Sequence, residues 1–246
     1  VDLPPLDRKI FADTLTDVLA NGWGVDRTLK IDPPVIDLNP LRPRTVAAFD
    51  RKGLSEAKRD QILLTASRLF NRKGVDGTSL DEIAAELSAT KRTLYQYVGD
   101  KQAIVSACYG RLVDQNRYMQ AQLDIQRRSG VPLLDCVISQ QRAGALVSMM
   151  EDVEFLRVTT SYVNLSEFDR TQVKALGAEV FQRFKRLLEG LYQEGLIRDV
   201  DHNCLLMQMP LAPNWLAKSA IEGGGDRKME IAAEVQDVLR LGLKPL

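Results

Sequence analysis

SLDEIAAELSATKRTLYQYV, from Ser79 to Val98, packs two helix starts and one turn into twenty residues. Ser79 followed three positions later by Glu82 has the spacing of a capping box, in which each side chain satisfies the other residue's backbone N–H. Leu80, Ile83, Ala84 and Leu87 then fall at i, i+3, i+4 and i+7, one buried helical face. Ser88-Ala89 makes a tight turn, and Thr90 can cap a second short helix over 91–98. In that helix Leu94 and Val98 sit four apart and pack inward. Lys91, Arg92, Thr93, Tyr95, Gln96 and Tyr97 are left with polar atoms to present, and no acid lies among them. Two short helices joined by a turn of about three residues form a helix-turn-helix. Its second helix lies in the major groove, and these side chains carry the donors and acceptors that suit bases and phosphates.

Working outward, Ile62, Ala66, Leu69 and Phe70 give one apolar face to a helix over about 54–73, which Gly74 ends. Gly99-Asp100 breaks the second short helix and opens a long one. The whole stretch Arg59–Cys108 reads RDQILLTASRLFNRKGVDGTSLDEIAAELSATKRTLYQYVGDKQAIVSAC. It resembles the DNA-binding domain of the TetR family. The resemblance rests on the IL-x-x-A-x-x-LF helix, the Gly before a Thr-Ser cap, the Ile-Ala pair, the Thr-Leu-Tyr signature and Lys101 opening the next helix. It implies an all-α protein: an N-terminal three-helix helix-turn-helix domain followed by a helical ligand-binding and dimerisation domain. It also implies roles for individual residues. Thr93, Tyr95 and Tyr97 resemble family contacts to bases and phosphates, Ser79 and Lys101 its phosphate anchors, and Lys91, Arg92 and Gln96 the positions that read sequence. Ser88 departs from the family, which usually has Gly there; a non-Gly residue in a left-handed turn costs on the order of 1 kcal/mol.

The pattern divides the chain into an N-terminal extension over 1–53, the helix-turn-helix domain over 54–101 and a helical part over 102–246, which the resemblance implies is the effector-binding and dimerisation domain. Six of the ten prolines lie within 1–43. Ile10, Phe11, Leu15, Val18 and Leu19 form a helical stripe stopped by Asn21-Gly22, and 31–44 reads as extended chain because each Pro-Pro step resists helix. The stripe must bury against the helical body of its own subunit or of a dimer partner, since left exposed it would invite aggregation. Arg42, Arg44, Arg51 and Lys52 form a basic segment able to enter a minor groove. Beyond residue 101, helices are expected over about 101–128, 132–149, 152–165, 169–194, 201–221 and 228–242. Phe181, Phe184, Leu187, Leu188 and Leu191 line one face of the long fourth segment, and the family implies that such a face pairs with its copy in a homodimer. Met149, Met150, Phe155, Tyr162, Phe168 and Trp215 suggest a mostly apolar cavity for a hydrophobic small molecule with one polar end.

Bulk properties narrow the classes. Hydrophobic residues at 45% and charged residues at 27% describe an ordinary globular chain of 246 residues. The 33 basic and 33 acidic residues cancel, but 51–101 holds ten Lys/Arg against seven Asp/Glu. No apolar run spans a bilayer and no leader pattern opens the chain, so a cytoplasmic location without membrane association is expected. Cys108, Cys136 and Cys204 lack Cys-x-x-Cys spacing and fit a reducing compartment as buried hydrophobes. The single His202 lies in a polar stretch, and no phosphate loop, nucleophile elbow or metal-spaced cluster appears, so no catalytic residue, metal or cofactor is expected. The function expected is a DNA-binding transcriptional regulator, a repressor released from a palindromic operator in double-stranded DNA by a hydrophobic small-molecule effector. The alternative is a DNA-binding protein controlled by a protein partner, or with no small-molecule effector.

Overall fold

The computed structural model describes residues 7–43, 47, 49–150, 152–156, 165–208 and 227–243. Within them the protein is helical: α1 (Arg8–Asn21), α2 (Arg51–Lys73), α3 (Leu80–Glu86), α4 (Lys91–Tyr97), α5 (Lys101–Arg128), α6 (Leu133–Met149), α7 (Glu167–Gln193), α8 (His202–Gln208) and α9 (Lys228–Leu241), with a single 3-10 turn at Asn39–Leu41. The only sheet-like pairing among the described residues is one isolated bridge, Gly24 to Ile197.

The chain folds as two compact units that cut across the linear divisions 1–53, 54–101 and 102–246. One combines 1–37, 119–150 and 177–246; the other combines 38–118 and 151–176. The physical reason is where the apolar stripes find partners. In the second unit a core of Ile62, Leu63, Leu69, Phe70, Ile83, Leu94, Ile104 and Val105 joins α2 through α5, and Leu156 and Leu165 complete it from a later stretch of chain.

In the first unit, Val18 and Trp23 enter a core with Leu134, Ile138, Leu188, Leu191, Leu205 and Leu239. The N-terminal helix therefore does bury its stripe, but only at its C-terminal end: Val18 is 1% exposed and Ile10 48%. Backbone bonds fasten the exit of α1 to the C-terminal helix, from Trp23 N–H to Leu239 O at 3.1 Å and from Leu243 N–H to Leu19 O at 2.9 Å. The two segments cross so closely that a Cβ on Gly22 would collide with Arg240 O, and one on Gly242 would lie 2.5 Å from Ala20 O. Arg198 clamps the same corner, donating to Gly22 O at 2.8 Å and to Asp17 Oδ2 at 2.6 Å. The extended segment that follows is tied to α6 by Ser139 Oγ donating to Pro34 O at 2.6 Å and Asp32 N–H donating to Asp135 Oδ1 at 3.0 Å.

One expected helix is corrected in part. Residues 152–156 are not helical, while 157–164 lie outside the described residues. Val153 and Leu156 imitate a helical i, i+3 pair, and both are buried. The Asn71 amide, however, donates to Phe155 O at 2.8 Å and to Glu154 Oε1 at 3.0 Å, so a tertiary donor holds the carbonyl that a helix would use. The helix expected over 201–221 is described only to Gln208. Of the expected cavity residues, Tyr162 and Trp215 lie outside the described residues, Met149 is buried between α6 and α9, and Phe155 lies beneath the Arg111 guanidinium at 5.4 Å. Phe168 is 72% exposed, which removes it from any interior lining within its own unit.

Candidate nucleic-acid interface

The interface is built on α2, α3 and α4. Asp50 Oδ1 accepts from Gly53 N–H at 2.9 Å to start α2, and α2 packs against both shorter helices. The capping box forms in full: Ser79 Oγ accepts from Glu82 N–H at 3.1 Å, and Glu82 Oε2 accepts from Ser79 N–H at 3.0 Å. Glu82 also contacts Lys73 at 2.5 Å. The Lys73 hydrogen bond, followed by that from the Ser79 backbone, holds the Glu82 carboxyl below its ordinary range.

Between α3 and α4 the chain turns on Ser88, the one non-glycine residue with positive φ among the described residues, at φ 50°. The turn is thus made with the left-handed geometry a glycine would adopt, and the serine carries the strain. Ala89 N–H returns to Ala84 O at 2.8 Å. Thr90 Oγ1 then accepts from Thr93 N–H at 3.2 Å, capping α4. Leu94 is fully buried and fixes the rotation of α4 about its axis.

That rotation sorts the eight sequence-predicted site residues. Arg92, Tyr95 and Gln96 are exposed on the outer face of α4, and neither they nor Lys101 at the start of α5 have a side-chain partner among the described residues. Four others are engaged. Lys91 pairs with Asp81 at 2.7 Å. The Thr93 hydroxyl lies 3.0 Å from that of Thr90. Ser79 has its backbone N–H committed to Glu82, leaving its hydroxyl proton to donate. Tyr97 packs against the core, and its hydroxyl accepts from Lys58 Nζ at 3.4 Å, with the ammonium 5.5 Å from the ring centre.

Lys58 is the residue that linear reasoning missed. It stands 39 positions before Tyr97, and only the packing of α2 on α4 brings its charge to the recognition helix. The basic segment before α2 does not behave as one arm. Arg42 is ion-paired with Asp152 at 3.0 Å, Lys52 lies 4.0 Å from Glu56, Arg51 is the first residue of α2, and Arg44 lies outside the described residues.

An outer face of Arg92, Tyr95 and Gln96 on a short helix, set by the buried Leu94 and packed on two further helices, has the architecture of a helix-turn-helix unit. Residues 62–108 match the family model of bacterial regulatory proteins, tetR family. The matched stretch is the helix-turn-helix domain, about a fifth of the chain. Among curated proteins it is similar to the biofilm operon icaADBC HTH-type negative transcriptional regulator IcaR of Staphylococcus epidermidis, 35% identical over 60 residues, 23% of this chain and 32% of that protein. IcaR of Staphylococcus aureus is 38% identical over 58 residues, 22% of this chain and 31% of that protein. The match thus spans about a third of the length of these curated relatives. Among solved structures the fold is similar to the TetR-family transcriptional regulator PfmR from Thermus thermophilus, with a TM-score of 0.59 and 22% identity over 75% of this chain and 99% of that one. It is also similar to AibR in complex with isovaleryl coenzyme A and operator DNA, with a TM-score of 0.58 and 23% identity over 73% of this chain and 96% of that one.

No helix among the described residues is long and apolar enough to cross a membrane. All three cysteines are free and buried.

Proposed function

We propose that the chain is a transcriptional repressor that binds a palindromic operator as a homodimer and is released by a small-molecule effector. The observation that carries the DNA half is α4 itself: Leu94 is buried, and Arg92, Tyr95 and Gln96 stand outward with no side-chain partner among the described residues. Side chains held free on a rigid helix are pre-organised for base edges and phosphates, so little ordering cost falls due on binding. In this reading Arg92 and Gln96 read bases and Lys91 joins them after exchanging Asp81 for DNA. Tyr95 and Lys101 hold phosphates, as does the Ser79 hydroxyl. Thr93 and Tyr97 position the helix as well as touching the backbone.

A homodimer follows from the small footprint of one such helix. Two-fold symmetry doubles the contacts and sets half-sites about 34–36 Å apart. Repression is supported by the similarity of this domain to IcaR, a negative regulator, and an effector by AibR, a protein of the same fold seen with both a ligand and operator DNA. The division of labour among an N-terminal extension to residue 53, a DNA-binding part over 54–101 and an effector and dimerisation part from 102 belongs to the same proposal.

Sedimentation and fluorescence anisotropy on duplexes enriched from a random pool test it together. Two chains per duplex at low-salt nanomolar to micromolar affinity are expected. One chain per duplex, or no affinity above that for unselected DNA, overturns the reading.

A further inference from the structure

Helices α6 and α9 lie along each other in opposite directions. Ile138 shares a cluster with Leu239 at one level, and Ala145 and Met149 share another with Ile231 and Ala232. Between these two apolar levels the helical stripes continue through position 141 on α6, which is i+3 from Ile138 and i−4 from Ala145. On α9 they continue through position 236, which is i+4 from Ala232 and i−3 from Leu239. Such positions call for Leu or Ala. The sequence places glutamine in both. Gln141 is 5% exposed and Gln236 0%.

Among the described residues neither the Nε2 nor the Oε1 of either glutamine has a hydrogen-bond partner. Two arginines border the layer. Arg142 follows Gln141, and Arg240 stands one turn beyond Gln236; the Nε of each is buried and unpartnered. Among the described residues Arg240 has one ion pair, with Asp237 at 4.0 Å, and feels Asp26 from farther off, while Arg142 has none. Burial pushes the Arg240 guanidinium down from its ordinary value; Asp237 and, more weakly, Asp26 oppose that push, and Arg142 adds like-charge repulsion to it. Buried polar groups normally find partners, and four side chains with unmet demands on one helix pair are costly unless something else meets them.

We propose that this polar layer is the anchoring site for an amphiphilic hydroxy acid. The inventory of unmet groups sets the chemistry. Two guanidinium N–H groups and two amide NH2 groups want acceptors, which a carboxylate supplies in the geometry arginine prefers. Two amide carbonyl oxygens want a donor, which a carboxylate cannot give and a neighbouring hydroxyl can. An aliphatic chain would enter by parting the apolar levels above and below, which are packed closed in this structure. For its consequence at DNA the inference rests on the effector half of the proposed function; for binding alone it does not.

Calorimetry on the full chain, with 3-hydroxyoctanoate, octanoate and 1-octanol as probes, tests it. The hydroxy acid is expected to bind most tightly, octanoate more weakly and octanol least. Arg142→Met and Gln236→Leu should each weaken the hydroxy acid by about tenfold or more. Gln236→Leu also replaces an unpartnered amide by a side chain suited to its stripe, so its unfolding midpoint should hold or rise, and lost binding there is not lost folding. Binding of the hydroxy acid no tighter than that of octanol, or unchanged in both variants, overturns the site. DNA release is read separately by anisotropy. Hydroxy-acid binding without release leaves the site standing and removes the effector reading, whereas release by octanol with no hydroxy-acid binding does the reverse.

Discussion

Ser88→Gly should stabilise the helix-turn-helix unit. Ser88 sits at φ 50°, a conformation that costs an L-residue with a Cβ roughly 1–2 kcal/mol. The Ser88 side chain is exposed and makes no bond, so the substitution removes strain and no contact. Glycine is freer in the unfolded chain, which returns about 0.4–1 kcal/mol of the gain. The balance is about 0.5–1 kcal/mol in favour of the variant. With a urea dependence of roughly 2 kcal/mol per molar, the midpoint should rise by about 0.3–0.5 M. The assay is urea unfolding followed by the tyrosine near-ultraviolet signal, with Ser88→Ala as the control that keeps the Cβ. Because Gly and Ser then share one turn geometry, the aim of α4 and the DNA affinity should not change. A fall in the midpoint for Ser88→Gly, or equal behaviour of Gly and Ala, would show that the turn in solution is not left-handed and would refute the reasoning.

Three further outcomes are expected. Trp23→Ala removes a side chain 1% exposed and should cost about 3–5 kcal/mol, so calorimetric unfolding at the wild-type midpoint would contradict a structural role for the N-terminal extension. Burial pushes the Cys108 thiol from 9.0 up to about 11; the raised folded value means that stability is whole below pH 9 and drains away as pH climbs towards 11. That loss is about 2–3 kcal/mol, so Cys108→Ala should show a shallower decline than wild type across this window, and parallel curves would count against it. Tyr95→Ala and Lys101→Ala should weaken binding to all duplexes alike, Lys101→Ala lowering the salt slope by about 0.9, and an unchanged slope would take Lys101 off the phosphates.

The helix-turn-helix was legible because its signals are local. The Ser79–Glu82 box, the Thr90 cap and the Leu94 anchor each act within four residues, and each appears as read. Non-local contacts were not legible. Nothing in the linear order tells that Lys58 meets Tyr97, that Asp81 holds Lys91, or that Asn71 captures the Phe155 carbonyl and leaves 152–156 without a helix. The extension over 1–53 showed its stripe but not its destination, because the partners of Val18 and Trp23 lie far along the chain, at Leu205 and Leu239.

The claim that α4 reads DNA sequence is tested most directly by in vitro selection from random duplexes with the full chain and with Arg92→Ala and Gln96→Ala. The wild type should enrich an inverted repeat with half-sites one helical turn or a multiple apart. Each variant should return the same spacing with relaxed preference at one base pair per half-site, a loss of about 1–3 kcal/mol in discrimination there. An identical consensus from all three proteins, or no enrichment by the wild type, would contradict the account.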